Sequence, residues 1–182
     1  MARFNAFYAQ SGGVTAVINA TACGVIEAAR KNSDRINKVY AGKNGILGAL
    51  NNNLIDTSLL DDAFIASLKH TPGGAFGSCR FKLDDPKDNN AQYEKIISVF
   101  KEHNIGYFFY NGGGDSQDTT HKLSEHAKSV GYDLKCIGLP KTIDNDLPYT
   151  DFSPGFPSTA KYVAISTLEA GLDVVSMAAA ST

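Results

Sequence analysis

Short apolar runs alternate along this chain with longer stretches of helical period, and most of the short runs end in a loop rich in glycine or charge. That order is the signature of strands joined by crossover helices, with the sheet parallel and helices packed on both of its faces. Strands are expected at residues 4–9, 38–41, 107–110 and 134–138, and helices at 15–30, 91–103, 117–130 and 158–178, with a further helix possible over 57–68. The fold class that follows is α/β: a Rossmann-like three-layer domain with a mostly parallel sheet. In such sheets ligands bind just outside the carboxyl ends of the strands, so the loops there carry the functional information.

Composition narrows the classes of function. At 182 residues and 43% hydrophobic content the chain has material for one α/β domain, alone or with a truncated neighbour. A formal net charge of -2, with scattered basic residues, excludes a nucleic-acid footprint. Cys23, Cys79 and Cys136 are odd in number and far apart, with no C-x-x-C pair, which fits a reduced, cytoplasmic setting. The first residues lack the build of a secretion signal, and no apolar stretch reaches membrane-spanning length. Residues 84–90 read as an exposed polar loop, and His121 and His126 as surface residues of a helix. The last helical pattern, 163–180, is apolar on more than one face and reads as a helix that needs cover. Cover is expected from further chain, from another copy in a homo-oligomer, or from a different completing chain.

The loops after the strands hold the chemistry. Ser11-Gly12-Gly13 follows a strand and opens a helix, where glycine lets backbone N–H groups approach an anion and the helix terminus favours negative charge. Taken alone, a tight turn without a ligand is the better account of it. Gly112-Gly113-Gly114-Asp115-Ser116 repeats the arrangement. Its consecutive glycines cost chain entropy that a turn does not require, so close approach to a phosphate is expected. Asp115 then shapes that site or coordinates Mg2+, or else caps the next helix. Arg80, at the end of the glycine-rich stretch 71–80, is either a two-pronged phosphate clamp or a solvated surface residue.

Pro140-Lys141-Thr142-Ile143-Asp144-Asn145-Asp146 is the most informative segment. In an extended loop alternate residues point the same way, so Asp144 and Asp146 can share one small site. One carboxylate can hold Mg2+ while phosphate oxygens fill other positions. The other can take a proton from an attacking hydroxyl, and Lys141 can neutralise charge on a transferring phosphate. The competing account is a charged surface turn.

Taken in order, these segments resemble the phosphofructokinases. Gln10-Ser11-Gly12-Gly13 with Asn19 is similar to the family's first phosphate loop, and Gly77-Ser78-Cys79-Arg80 to its Gly-Ser-x-Arg loop. Residues 112–116 resemble the Mg-phosphate loop, 140–146 hold the Thr-Ile-Asp-Asn-Asp core intact, and 154–160 resemble the start of the next family helix. The resemblance covers essentially the whole chain. It implies phosphoryl transfer to the 1-hydroxyl of fructose 6-phosphate, giving fructose 1,6-bisphosphate. In that reaction Asp144 accepts the hydroxyl proton, Lys141 assists the donor, Asp146 helps hold Mg2+, and Thr142 contacts the sugar phosphate or the transition state. Gly12, Arg80, Gly113, Gly114, Asp115 and Ser116 would bind the donor phosphates. It also implies that residues 1–182 are the N-terminal donor-binding domain and that the sugar-phosphate domain lies outside them.

Two positions speak to the donor. ATP-dependent relatives carry Gly-Gly-Asp-Gly-Ser, and a small residue before Thr-Ile-Asp-Asn-Asp. This chain has Asp115 and Lys141 there, a pairing that resembles the pyrophosphate-dependent group. A carboxylate and an ammonium where a nucleotide's α-phosphate would lie exclude ATP by repulsion and volume. Gly114 stands where the family has an Mg-binding Asp, which moves the metal onto Asp146 and Asp115. The alternatives are the ATP-dependent version of the reaction, a non-catalytic phosphate- or nucleotide-binding subunit, and a lipid or NAD kinase, against which the Thr-Ile-Asp-Asn-Asp run argues.

Overall fold

The computed structural model describes residues 3–145 and 148–179. Strand β1 (Phe4–Ser11) leads into helix α1 (Ile18–Lys31) and strand β2 (Ile36–Gly42). A short helix α2 (Ile46–Leu50) and strand β3 (Leu54–Asp56) follow. Helix α3 (Asp62–Ser67) comes next, flanked by 3-10 turns at Thr57–Leu59 and Leu68–His70, and then the two-residue strand β4 (Ser78–Cys79). Helix α4 (Asn90–Glu102), strand β5 (Ile105–Gly112), helix α5 (Gly114–Ser129), strand β6 (Lys135–Pro140) and helix α6 (Phe156–Met177) complete the order.

The strands lie in the order β3-β2-β1-β5-β6, with β4 added to β1. Every pairing is parallel except that of β3 with β2. β1 is the centre, buried on both faces from Asn5 to Ser11. Its alternate side chains enter two different cores, as the two-residue period of a strand requires. Phe7 and Ala9 join α2, α4 and α5 through Ile46, Ile96, Phe100 and Leu123. Ala6 and Tyr8 join α1 and the α3 region through Ala22, Ile26, Ile65 and Leu68. The sheet therefore has helices on both faces, as expected for a three-layer α/β domain.

The expected strands and main helices are all present, with ends shifted by a few residues. α2, β3 and β4 are additions; each is five residues or shorter, too short to show a period. The expected 57–68 helix is α3 broken by its flanking 3-10 turns. Asp61 supplies one reason for the break, capping α3 by accepting a hydrogen bond from the Phe64 N–H at 2.7 Å.

Two expectations need correction or restatement. His126 is not on the surface: it is buried, tilted against the Tyr93 ring at a centroid distance of 5.4 Å. Its face of α5 also carries Thr119, Leu123 and Ala127, which are buried positions at helical spacing. α6 has no buried residue, and Leu168, Leu172, Val174 and Val175 are 62–73% exposed. Nothing among the described residues covers it.

The chain runs from β1 to β2 on one side and returns to β5 on the other. The carboxyl ends of β1 and β5 thus flank the switch in strand order, where such folds open a crevice. Phe108 anchors that pair of strands, fully buried with ring centroids 5.8 Å from both Phe7 and Phe100. Phe108→Ala is expected to lower unfolding free energy by about 3–5 kcal/mol, measured by urea denaturation followed by circular dichroism.

Candidate functional site

Strand register assembles the site. β1 pairs with β4 through Ser11 and Cys79, with β5 through Gln10 and Asn111, and β5 pairs with β6 through Gly112 and Pro140. One residue beyond these rungs come Arg80, Gly12, Gly113 and Lys141. Residues distant in sequence are thereby brought to one edge of the sheet. They line a cleft of about 920 Å3, together with Gly114, Asp115, Ser116, Thr142 and Asp144. Every site residue expected from sequence lines this cleft except Asp146, which lies outside the described residues.

Gly12 and Gly13 form the floor. Gly12 has φ +73, a conformation costly to residues with a Cβ, and its N–H donates to Cys79 O at 2.8 Å. A Cβ on Gly12 would stand 3.3 Å from Lys141 Nζ, and one on Gly13 would stand 3.1 Å from an Arg80 guanidinium nitrogen. Two cations therefore rest close against this turn, where a Cβ would crowd their charged ends. Lys141 also donates to the Gly13 carbonyl. Lys141 is buried and Arg80 exposed. Among the described residues, neither takes part in an ion pair. Burial, and then the Arg80 charge, push the Lys141 pKa below its ordinary value, while Asp144 opposes the shift. A half-desolvated ammonium beside a guanidinium, with no carboxylate as partner, is a place for an anion.

The second wall is the start of α5. Its N-cap is Gly113, so Asp115 is not the cap but a residue of the first turn. Asp115 pairs with Lys82 at 2.9 Å, which holds its carboxyl below the usual range. Ser116 Oγ donates to Ser11 Oγ at 2.8 Å, joining the two strand ends beneath the cleft. Gly112 must be glycine here, since a Cβ would fall 2.1 Å from Ser116 Oγ. The Tyr110 hydroxyl shares this network, and burial pushes its pKa up to about 12, so it stays a neutral phenol.

The third wall is the segment after β6. The Asp144 N–H donates to Thr142 Oγ1 at 3.1 Å, a local turn that presents Asp144 as an exposed carboxylate at the rim. Asn145 takes φ 51, a left-handed conformation that Asn tolerates better than most residues. Among the described residues, no group of three or more His, Cys, Asp or Glu side chains is placed to hold a metal ion.

Asn19 does not reach the cleft. It is buried, accepts from Gln10 Nε2 at 3.0 Å and from the Ala75 N–H at 2.9 Å, and donates to Thr71 O at 2.8 Å. It ties the glycine-rich 71–80 stretch to β1 and so carries Arg80 into place. Sequence reasoning missed Lys82, Tyr110 and Thr159, which also line the cleft. Lys82 follows Arg80 and Phe81, all three lining the cleft, while Leu83 after it is buried in the core.

The sequence model described as phosphofructokinase matches residues 5–180. A pyrophosphate--fructose 6-phosphate 1-phosphotransferase of Halomonas elongata is 65% identical over all 182 residues, which cover 43% of its length. The crystal structure of a pyrophosphate-dependent phosphofructokinase from Marinobacter aquaeolei superposes with a TM-score of 0.88 at 65% identity, over 98% of this chain and 44% of that one. An ATP-dependent 6-phosphofructokinase of Vibrio parahaemolyticus is 32% identical over 154 residues, covering 84% of this chain and 43% of its own length. The chain thus spans less than half the length of the relatives it matches.

Burial of Lys141 has a thermodynamic signature. Its folded pKa lies below the unfolded value of 10.5. Between the two values the unfolded chain holds the extra proton, so raising pH stabilises the fold there. Lys141→Met is expected to raise unfolding free energy at pH 7 by on the order of 1 kcal/mol. That gain should shrink as pH rises through the Lys141 pKa toward 10.5, as read from urea melts at a series of pH values.

Proposed function

The chain belongs to the phosphofructokinase family, and we propose that it supplies the donor-phosphate side of phosphoryl transfer from pyrophosphate to the 1-hydroxyl of fructose 6-phosphate. The observation that carries the reading is the pair of cations, Lys141 and Arg80, that form no ion pair among the described residues and are seated on the Gly12-Gly13 turn. Such a site attracts a compact polyanion, and phosphoryl transfer is catalysed chiefly by positioning and by stabilising charge.

In this reading the backbone of Gly113 and Gly114 and the side chains of Arg80 and Ser116 hold the donor, while Gly12, whose own N–H is engaged by Cys79 O, leaves room for it. Lys141 neutralises charge on the transferring group. Asp144, at the rim, takes the proton of the attacking hydroxyl, and Thr142 contacts the sugar phosphate or the transition state. Asp115 occupies the place a nucleotide's next phosphate would need, which selects pyrophosphate over ATP. The relatives named for pyrophosphate are 65% identical to this chain, against 32% for the ATP-dependent one, which favours the same donor.

Mg2+ takes one or two carboxylates and otherwise keeps water and phosphate oxygens. The described donor set fits an ion carried in by the phosphates, not a preformed cage. Lys82 already neutralises Asp115, so of the two acids expected to hold the ion, Asp146 is the better assigned, on sequence alone. The ion would supply charge neutralisation on the donor oxygens.

Residues 1–182 act in this proposal as an N-terminal donor-binding domain. The sugar-phosphate pocket comes from outside them, whether from further chain, a second copy or another subunit. The exposed apolar α6 accords with such cover. Cys23, Cys79 and Cys136 are free thiols and no helix among the described residues is long and apolar enough to cross a membrane, which accords with a cytoplasmic setting.

The test is transfer to fructose 6-phosphate with Mg2+, comparing pyrophosphate and ATP side by side. Turnover with pyrophosphate alone is expected. Asp144→Asn should then lower kcat by about 10²–10⁴-fold, with little change in the KM for pyrophosphate. The double change D115G/K141G should shift preference toward ATP, and an unchanged preference would remove both residues from donor selection. Pyrophosphate binding without turnover is the result expected of a binding part alone.

A further inference from the structure

The acid assigned to donor selection carries a difficulty: a carboxylate that excludes a nucleotide also repels pyrophosphate, which is itself a polyanion. Lys82 answers it. The segment after β4 brings Lys82 to the cleft beside Arg80 and Phe81, with Leu83 buried in the core behind them. Its Nζ lies 2.9 Å from Asp115 Oδ1. The other cation near Asp115 is Lys122, and that one is already engaged by Asp118 at 2.9 Å and Asp85 at 3.7 Å. Arg80 and Lys141, by contrast, form no ion pair among the described residues, although Asp144 is near enough to act on Lys141. Among the described residues the cleft thus has two cations outside any ion pair and a third committed to its own acid.

We propose that Lys82 is a positioning residue that cancels the charge of Asp115, so that Asp115 obstructs a nucleotide by its place while pyrophosphate is not driven off by its charge. This rests on the functional reading above. Lys82 acts here through Asp115 and does not itself grip the donor. The pair is exposed, with side chains 62% and 79% accessible, so it is worth little to the fold and can be altered without unfolding it.

A double-mutant cycle separates the possibilities. Pyrophosphate with Mg2+ is titrated calorimetrically into the chain, K82M, D115N and K82M/D115N, each checked for folding by circular dichroism. K82M should weaken binding by about three- to tenfold, because it leaves Asp115 uncompensated. The same change made on D115N should cost less than about twofold. K82R should restore affinity, and the K82M penalty should shrink near 1 M salt, where screening reaches about 3 Å. Equal losses from K82M in both backgrounds would mean that Lys82 holds the donor directly and would overturn the inference alone, as would no loss in either. If the unsubstituted chain binds no pyrophosphate, the functional reading falls and takes this inference with it.

Discussion

Everything at the cleft depends on β1 being paired along both edges as far as Gln10 and along one edge to its last residue. One edge is held by β5 as far as Gln10. The other is held by β2 only as far as Tyr8, after which β4 takes over at Gln10 and Ser11. That exchange of partners lets the 71–80 stretch enter the sheet from outside the regular strand-helix alternation. It sets Arg80 beside Gly12 without any long loop reaching across solvent. The buried Gln10 and Asn19 side chains reinforce the exchange, since Asn19 bonds both β1 and the incoming stretch. A two-residue strand would be negligible as a source of stability, yet here it delivers a charged side chain to a defined position.

The electrostatics follow from that placement. Desolvating an ammonium is unfavourable, and a fold selected for stability alone would pair Lys141 with a carboxylate or replace it. Some cations elsewhere are paired in this way, as Lys38 is with Asp56 at 2.6 Å and Lys69 with Glu27 at 3.0 Å. Lys141 instead donates to a backbone carbonyl and faces another cation. The unmet charge is a local sacrifice of stability, and an arriving anion relieves it. Charge, more than shape, therefore carries the proposal that the cleft is a phosphate site.

Much of this was legible in the residues because the fold is repetitive: each parallel strand ends in a loop at the same edge, so reading the loops in turn recovers the cleft. Gly12, Gly113, Lys141 and Asp144 were found that way. What escaped depended on context. β4 has no period to detect in two residues, so Arg80 was legible only as a clamp or a surface side chain. Lys82 escaped for the same reason. His126 was misjudged by residue type when its position, seven after Thr119 and three after Leu123, placed it on the buried stripe of α5. Asp115 was legible as an acid at a helix start but not as one already neutralised, because its partner comes from another part of the chain.

The cleft is also uneven in a way that bears on the chemistry. One side is walled by three loops and floored by glycine, whereas Asp144 and Ile143 stand at an open rim, with Ile143 50% exposed. Phosphoryl transfer competes with hydrolysis unless water is kept from the transferring group, so in the proposed reaction an exposed Asp144 would be an incomplete arrangement for a general base. The rim residues and the uncovered α6 follow one another in sequence, joined by the segment that ends at Gly155. A single body seated on that side could exclude water from Asp144 and bury the apolar helix together. The acceptor sugar phosphate would then be held between that body and a donor site whose charge was set in advance. In such an arrangement the donor half need not change shape on binding, and specificity for the acceptor belongs to whatever closes the rim.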